Sequence, residues 1–173
     1  MDRMYFAYAI AGDVFMKQLT WKIYGVWILF TEAVGFLSGW VTKAGTEHYN
    51  ATVTQPALSP PSEVFPIVWS VLFALMGIGA ARIYASTVSK ARERGLRIFF
   101  LQLAFNFLWS IIFFNLQAFT AAFFWLLALW GLIIGMVISF YKVDPLAAWI
   151  QVPYLLWVTF AGYLNFGVWM LNK

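Results

Sequence analysis

An all-α membrane protein, built as a bundle of five transmembrane helices, is the fold this sequence predicts. Three observations carry the prediction. The 173 residues are 63% hydrophobic and only 10% charged, where a soluble domain has about a quarter of its residues charged. Five apolar stretches each reach the roughly 20 residues that a helix needs to cross about 30 Å of hydrocarbon. Those stretches are continuously apolar, without the alternation over about 10 residues that marks a barrel strand. In lipid such a segment must satisfy its own backbone, which a helix does.

The elements follow in order within a single domain, residues 1–173. Residues 1–21 have an apolar patch but also Asp13 and Lys17, and no clean small-residue cleavage site. They are expected to be a retained, interfacial helix rather than a cleaved signal. The first span covers residues 22–41 and holds Glu32 in its middle, where an ionised carboxylate is costly. A neutral, hydrogen-bonded role within the bundle is the expectation for it, with a proton relay or ligand contact as the alternative. Gly35-x-x-x-Gly39 in the same span offers close helix packing. Residues 42–63 form the one connection long enough to do more than join helices, and are expected to be a lid carrying His48, Tyr49, Pro60 and Pro61. The second span, 64–86, begins behind Pro60 and Pro61, which lock φ and hold a stiff, extended lead-in. Ser59 or Ser62 is placed to cap it, and Pro66 falls in the first turn, where a missing N–H costs little. The third span, 96–116, and the fourth, 119–140, are joined by a tight link near Asn115 to Ala118 and must be antiparallel neighbours. Gly131-x-x-x-Gly135 lies on the fourth. The fifth, 146–171, contains Pro153, which frees a backbone carbonyl four residues before Trp157.

With five crossings the N-terminus shares a side with the second and fourth loops. That side collects Arg3, Lys17, Lys22, Arg82, Lys90, Arg92, Arg94, Arg97 and Lys142, against Lys43 and Lys173 on the other. The bias predicts an N-terminus inside a bacterial cell membrane. The run KARERGLR is read as a topology and lipid-headgroup feature and not as a nucleic-acid patch. With no cysteine, disulfides and thiolate chemistry are excluded. His48 stands alone without the ligands of a metal site, and no phosphate loop, Ser-His-Asp set or paired carboxylates appear. No obligatory cofactor is expected. The inverted repeats of secondary carriers are not evident either.

Helical spacing places Phe65, Trp69, Leu72 and Met76 on one face of the second span, and Gln102, Asn106, Trp109 and Phe113 on one face of the third. Trp157, Ala161, Leu164 and Val168 form a stripe on the fifth, with Asn165 beside it. Amides among acyl chains are costly and should turn inward. The expected interior is lined by indoles and a few amides, suited to a flat, largely apolar ligand. Trp21, Trp27, Trp40 and Trp169, near span ends, are expected in interfacial belts.

These residues resemble the translocator protein family, also called tryptophan-rich sensory proteins (TspO/MBR) and, in animals, the peripheral benzodiazepine receptor. The resemblance rests on Pro60-Pro61-x-x-x-Phe65-x-x-x-Trp69, on Gln102-Leu103-x-x-Asn106-x-x-Trp109, and on Pro153-Tyr154-x-x-Trp157 followed by Leu164-Asn165. It implies a five-helix bundle, commonly a homodimer in the lipid bilayer, whose cavity beneath the first loop binds porphyrins such as protoporphyrin IX or haem. It also implies a receptor or sensor acting in tetrapyrrole homeostasis or stress response, with porphyrin transport as an alternative. By the same resemblance Phe65, Trp69, Asn106, Trp109, Trp157, Ala161, Leu164 and Asn165 are ligand-binding positions. Trp69 and Trp157 would be the reactive pair if the protein degraded porphyrin in light. The family's lid lysine has no counterpart between His48 and Pro56, and its cholesterol-associated pattern is not met around Tyr163, so cholesterol recognition is not carried over.

Overall fold

The structure, a computed structural model, describes the backbone of residues 2–173 and the side chains of residues 21–173. The interfacial placement expected for the N-terminal segment falls on side chains outside that description. Helix α1 runs Asp2–Thr52, α2 Val64–Ala85 and α3 Lys90–Ser110, the last prolonged by a π-helical turn, Ile111–Asn115. Helix α4 runs Phe119–Tyr141, and the final span is split into α5, Pro145–Trp149, and α6, Val152–Leu171. Among the described residues, five stretches are long and apolar enough to cross a bilayer: Trp21–Thr52, Val64–Ala85, Lys90–Asn115, Phe119–Tyr141 and Pro145–Leu171. The chain is thus a multi-pass membrane protein. Its spans close into a ring in the order α1, α2, α6, α4, α3, with α2 also touching α3.

Helix α1 does not end near residue 41, and residues 42–63 are not all loop. Hydropathy falls at Lys43, but between there and Thr52 nothing breaks a helix, and the first proline is Pro56. His48 and Tyr49 therefore sit on the last turns of α1, and only residues 53–63 form the connection. The 32 residues from Trp21 to Thr52 would measure about 48 Å at 1.5 Å per residue, longer than the hydrocarbon is thick. The surplus turns are held by aromatic packing, with the Tyr49 ring 5.3 Å from Phe113, 5.5 Å from Phe114 and 6.4 Å from Phe119. The wide turn at Ile111–Asn115 brings two consecutive phenylalanines against one tyrosine. Gly45 makes the approach possible, since a Cβ there would lie 2.6 Å from the Phe114 carbonyl oxygen.

The start of α2 also differs from expectation. Neither Ser59 nor Ser62 caps it: the N-cap is Glu63, and Ser62 Oγ instead donates to Glu63 Oε1 at 3.2 Å. The first turn is held by Val64 N–H donating to Pro61 O at 3.0 Å. The fifth span breaks at Ile150–Gln151, and Pro153 falls in the first turn of the restarted helix, where its missing donor leaves no gap. Asp144 caps the short α5 by accepting from Leu146 N–H at 2.9 Å and Ala147 N–H at 3.2 Å. Its other oxygen pairs with Arg82 Nε and Nη2, each at 2.8 Å, and ties α5 to the end of α2. Asp144→Ala removes both functions and is expected to cost about 1–2 kcal/mol, whereas Asp144→Asn keeps the cap and should cost less. Thermal unfolding in detergent measures the difference, and equal losses would show that the cap contributes nothing.

Between α1 and α2, Thr31 Oγ1 donates to Phe73 O at 2.8 Å, the Phe73 ring covers Gly35, and Gly77 meets the backbone of Ile28. Ser38 and Ser110 hydroxyls lie 2.7 Å apart, and Asn115 Nδ2 donates to Val41 O at 3.1 Å, joining α1 to α3. Gly39, Gly131 and Gly135 face open space. Of the two glycine pairs, only Gly35 realises close packing inside the chain. Trp21 and Trp40 are exposed, as a belt requires. Trp27 is half-buried instead, packing 5.6 Å from Tyr84 and 5.8 Å from Phe99, against the core.

Candidate functional site

Helices α2 and α6 face each other without closing. Their apolar sides flank an open cleft of about 450 Å³, lined by Ile67, Val68, Val71, Leu72 and Leu75 of α2 and by Pro153, Leu156, Trp157 and Phe160 of α6. The lining recurs at three and four residues, so one stripe of each helix builds each wall. Ile67, Val71 and Leu156 form exposed lips, while Leu72 is buried at the floor. The volume lies within the roughly 300–1,000 Å³ range of small-molecule sites.

One end of the cleft is aromatic. The Phe65 ring meets Trp157 edge-on at 5.9 Å, and Trp157 lies 5.7 Å from Phe160. Trp69, one turn below Phe65, tilts onto Phe73 at 5.6 Å and meets the Tyr154 ring at 6.3 Å. Trp69 and Trp157 are both half-buried, so part of each indole remains presentable. Phe65 of α2 and Trp157 of α6 thus meet across the two helices, while Trp69 packs beside them on Phe73 and Tyr154. Of the three, Trp157 lines the cleft directly.

Behind this wall lies a buried polar chain. Tyr154 is fully buried, its hydroxyl donates to Gln102 Oε1 at 2.8 Å and accepts from Asn106 Nδ2 at 3.1 Å. Gln102 Nε2 points to Met76 Sδ at 3.8 Å. Asn106 is therefore a support for the wall. Trp109 and Asn165 are placed elsewhere: Trp109 stacks on Phe113 at 5.1 Å and donates through Nε1 to Asn165 Oδ1 at 3.3 Å. Asn165 in turn donates to Phe119 O at 2.9 Å, so the pair joins α3, α4 and α6. Leu164 is buried, and Ala161 is half-buried against the core. Nothing in the spacing of the Pro153-Tyr154-x-x-Trp157 motif points to this role for Tyr154. The two amides four residues apart on α3 were the available signal, because each needs a buried partner.

The connection over residues 53–63 runs along the C-terminal half of α6. Asn172 exchanges two hydrogen bonds with Thr54, one from Thr54 N–H and one to Thr54 O, each 2.9 Å. Tyr163 OH donates to Ala57 O at 2.9 Å, and the Pro56 ring covers Gly167. A turn closed by Ser59 N–H and Pro56 O, with Leu58 at φ 68°, sends the chain back to α2 through Pro60 and Pro61. His48 is exposed and Tyr49 half-buried on α1, away from this contact. On an exposed side of α1 and α2, Ser70 Oγ donates to Glu32 Oε2 at 3.3 Å, a partner the apolar context did not reveal. Among the described residues no group of three or more His, Asp or Glu side chains is arranged to hold a metal ion.

A family model described as the TspO/MBR family matches residues 27–170. The chain is 36% identical over 141 residues to a tryptophan-rich protein TspO from Chlorobaculum tepidum, covering 81% of this chain and 89% of that protein. It is 38% identical over 122 residues to protein CrtK of Rhodobacter capsulatus, covering 70% and 76% respectively. The translocator protein of Bos taurus is 30% identical over 141 residues, covering 80% and 83%.

Proposed function

The chain belongs to the TspO/MBR family, and on that premise we propose that it is a membrane receptor for a tetrapyrrole, such as protoporphyrin IX or haem, bound against the α2–α6 wall. The observation that supports this most is Trp157 lining an apolar cleft with the Phe65 ring edge-on against it, and Trp69 half-buried one turn further along α2. A flat conjugated ring stacks on indole faces and hides its apolar surface from the lipid headgroups and water, while hydrogen-bonded amides behind the wall keep those faces in place. The protein works as a homodimer in a bacterial cell membrane, with its N-terminus inside, and serves tetrapyrrole homeostasis.

Titration of the purified protein with protoporphyrin IX should quench tryptophan fluorescence to saturation. In the Trp69→Phe, Trp157→Phe double variant the dissociation constant should rise roughly tenfold, equivalent to about 1.4 kcal/mol, because two stacking faces shrink. Absence of saturable quenching, or an unchanged constant in the variant, would refute the assignment.

A further inference from the structure

We infer that the ligand reaches the cleft sideways from the bilayer, between α2 and α6, and that the 53–63 connection is a fixed strap and not the door. The inference rests on the receptor reading above. The strap is fastened to α6 at three successive levels: the paired bonds of Thr54 with Asn172, the Pro56 ring seated on Gly167, and the Tyr163 bond to Ala57 O. Opening it would break all three and strip a proline from its seat. Its return to α2 is stiffened by Pro60 and Pro61, whose φ cannot adjust.

The α2–α6 seam is built differently. Among the described residues no hydrogen bond joins Val64–Ala85 to Val152–Leu171; the nearest tie is Gln151 Nε2 donating to Leu75 O at 3.1 Å, at the far end of the cleft. Between that tie and the Phe65–Trp157 contact the facing side chains are apolar, and the lips Ile67, Val71 and Leu156 are 56–67% exposed where acyl chains must lie. Side chains that contact only by dispersion separate without leaving an unsatisfied polar group, so widening this seam costs less than unfastening the strap. An apolar ring ligand partitions into the same hydrocarbon layer and meets the seam from there.

The absence of native cysteine makes the test clean. In one variant, Thr54→Cys with Asn172→Cys, a disulfide locks the strap to α6. In another, Val71→Cys with Leu156→Cys, a reducible bis-methanethiosulfonate bridge spans the cleft mouth. Protoporphyrin IX association is followed by stopped-flow quenching with protein in nanodiscs. The seam bridge should slow association roughly tenfold or more, with recovery on reduction, while the locked strap leaves it within about twofold of the unmodified protein. Slowing by the strap lock, or unchanged association with the seam bridged, overturns the route. No saturable quenching in the unmodified protein would instead overturn the receptor reading, and this inference with it.

Discussion

Tyr154→Ala is expected to destabilise the protein by about 3–5 kcal/mol, in the range of large-to-small aromatic truncations. The ring is fully buried against Trp69 of α2 and the amides of α3, so truncation opens a void that these neighbours can fill only in part. It also strands two amides: Gln102, 0% exposed, loses the donor to its Oε1, and Asn106, 5% exposed, loses the acceptor for its Nδ2. Tyr154→Phe separates these contributions. It keeps the ring that backs Trp69 and removes only the hydroxyl, and hydrogen bonds between membrane helices average about 0.6 kcal/mol because the unfolded chain in lipid finds other partners. The phenylalanine variant should therefore lose about 1 kcal/mol and retain porphyrin quenching, whereas the alanine variant loses both stability and ligand. Equilibrium unfolding in mixed micelles measures this directly. Equal losses in the two variants would mean that the hydroxyl chain, and not the ring, holds the wall.

This division explains which parts of the molecule could be read from the sequence. Hydropathy reports the transfer of each residue to lipid, and so it located the five spans and their order. It does not report where a helix ends. Residues 42–52 of α1 are polar enough to leave the membrane yet contain no breaker, and their packing partner, the Phe113–Phe114–Phe119 set, lies on other helices. Helical spacing placed Phe65 and Trp69 four residues apart on one face of α2, yet Phe65 meets Trp157 while Trp69 rests on Phe73 and Tyr154. It could not say that Trp109, one turn beyond Asn106 on the same α3 face, is taken up by Asn165 away from the cleft, because that partner is itself fixed by a bond to Phe119 O on another helix. The same limit applies to Trp27: its position near a span end fits a belt equally well, until Tyr84 and Phe99 are seen to enclose it.

Neighbouring helices are also why Gly77 should be among the least replaceable residues of α2. A Cβ at this position would lie 2.7 Å from Ile28 Cα and 2.9 Å from Ile28 N, against backbone that has no rotamer with which to retreat. Gly77→Ala must push α1 away, at a cost of about 1–3 kcal/mol from overpacking that outweighs the roughly 1 kcal/mol an alanine gains over glycine within a helix. Gly77→Val, with two further methyl groups, should exceed it. The displacement also reaches the site. Moving α1 lengthens the Thr31 bond to Phe73 O and lifts the Phe73 ring from Gly35, and that ring is the surface on which Trp69 rests at 5.6 Å. Gly77→Val should therefore weaken protoporphyrin quenching as well as stability, although it lies outside the cleft lining. Gly135→Ala provides the contrast, since a Cβ there meets nothing within 4 Å: it should be neutral or stabilise the fold by up to about 1 kcal/mol and leave quenching unchanged. If the two substitutions shifted the unfolding midpoint alike, the α1–α2 seam would be looser than described, and Phe73 could not be what holds Trp69 beside Tyr154.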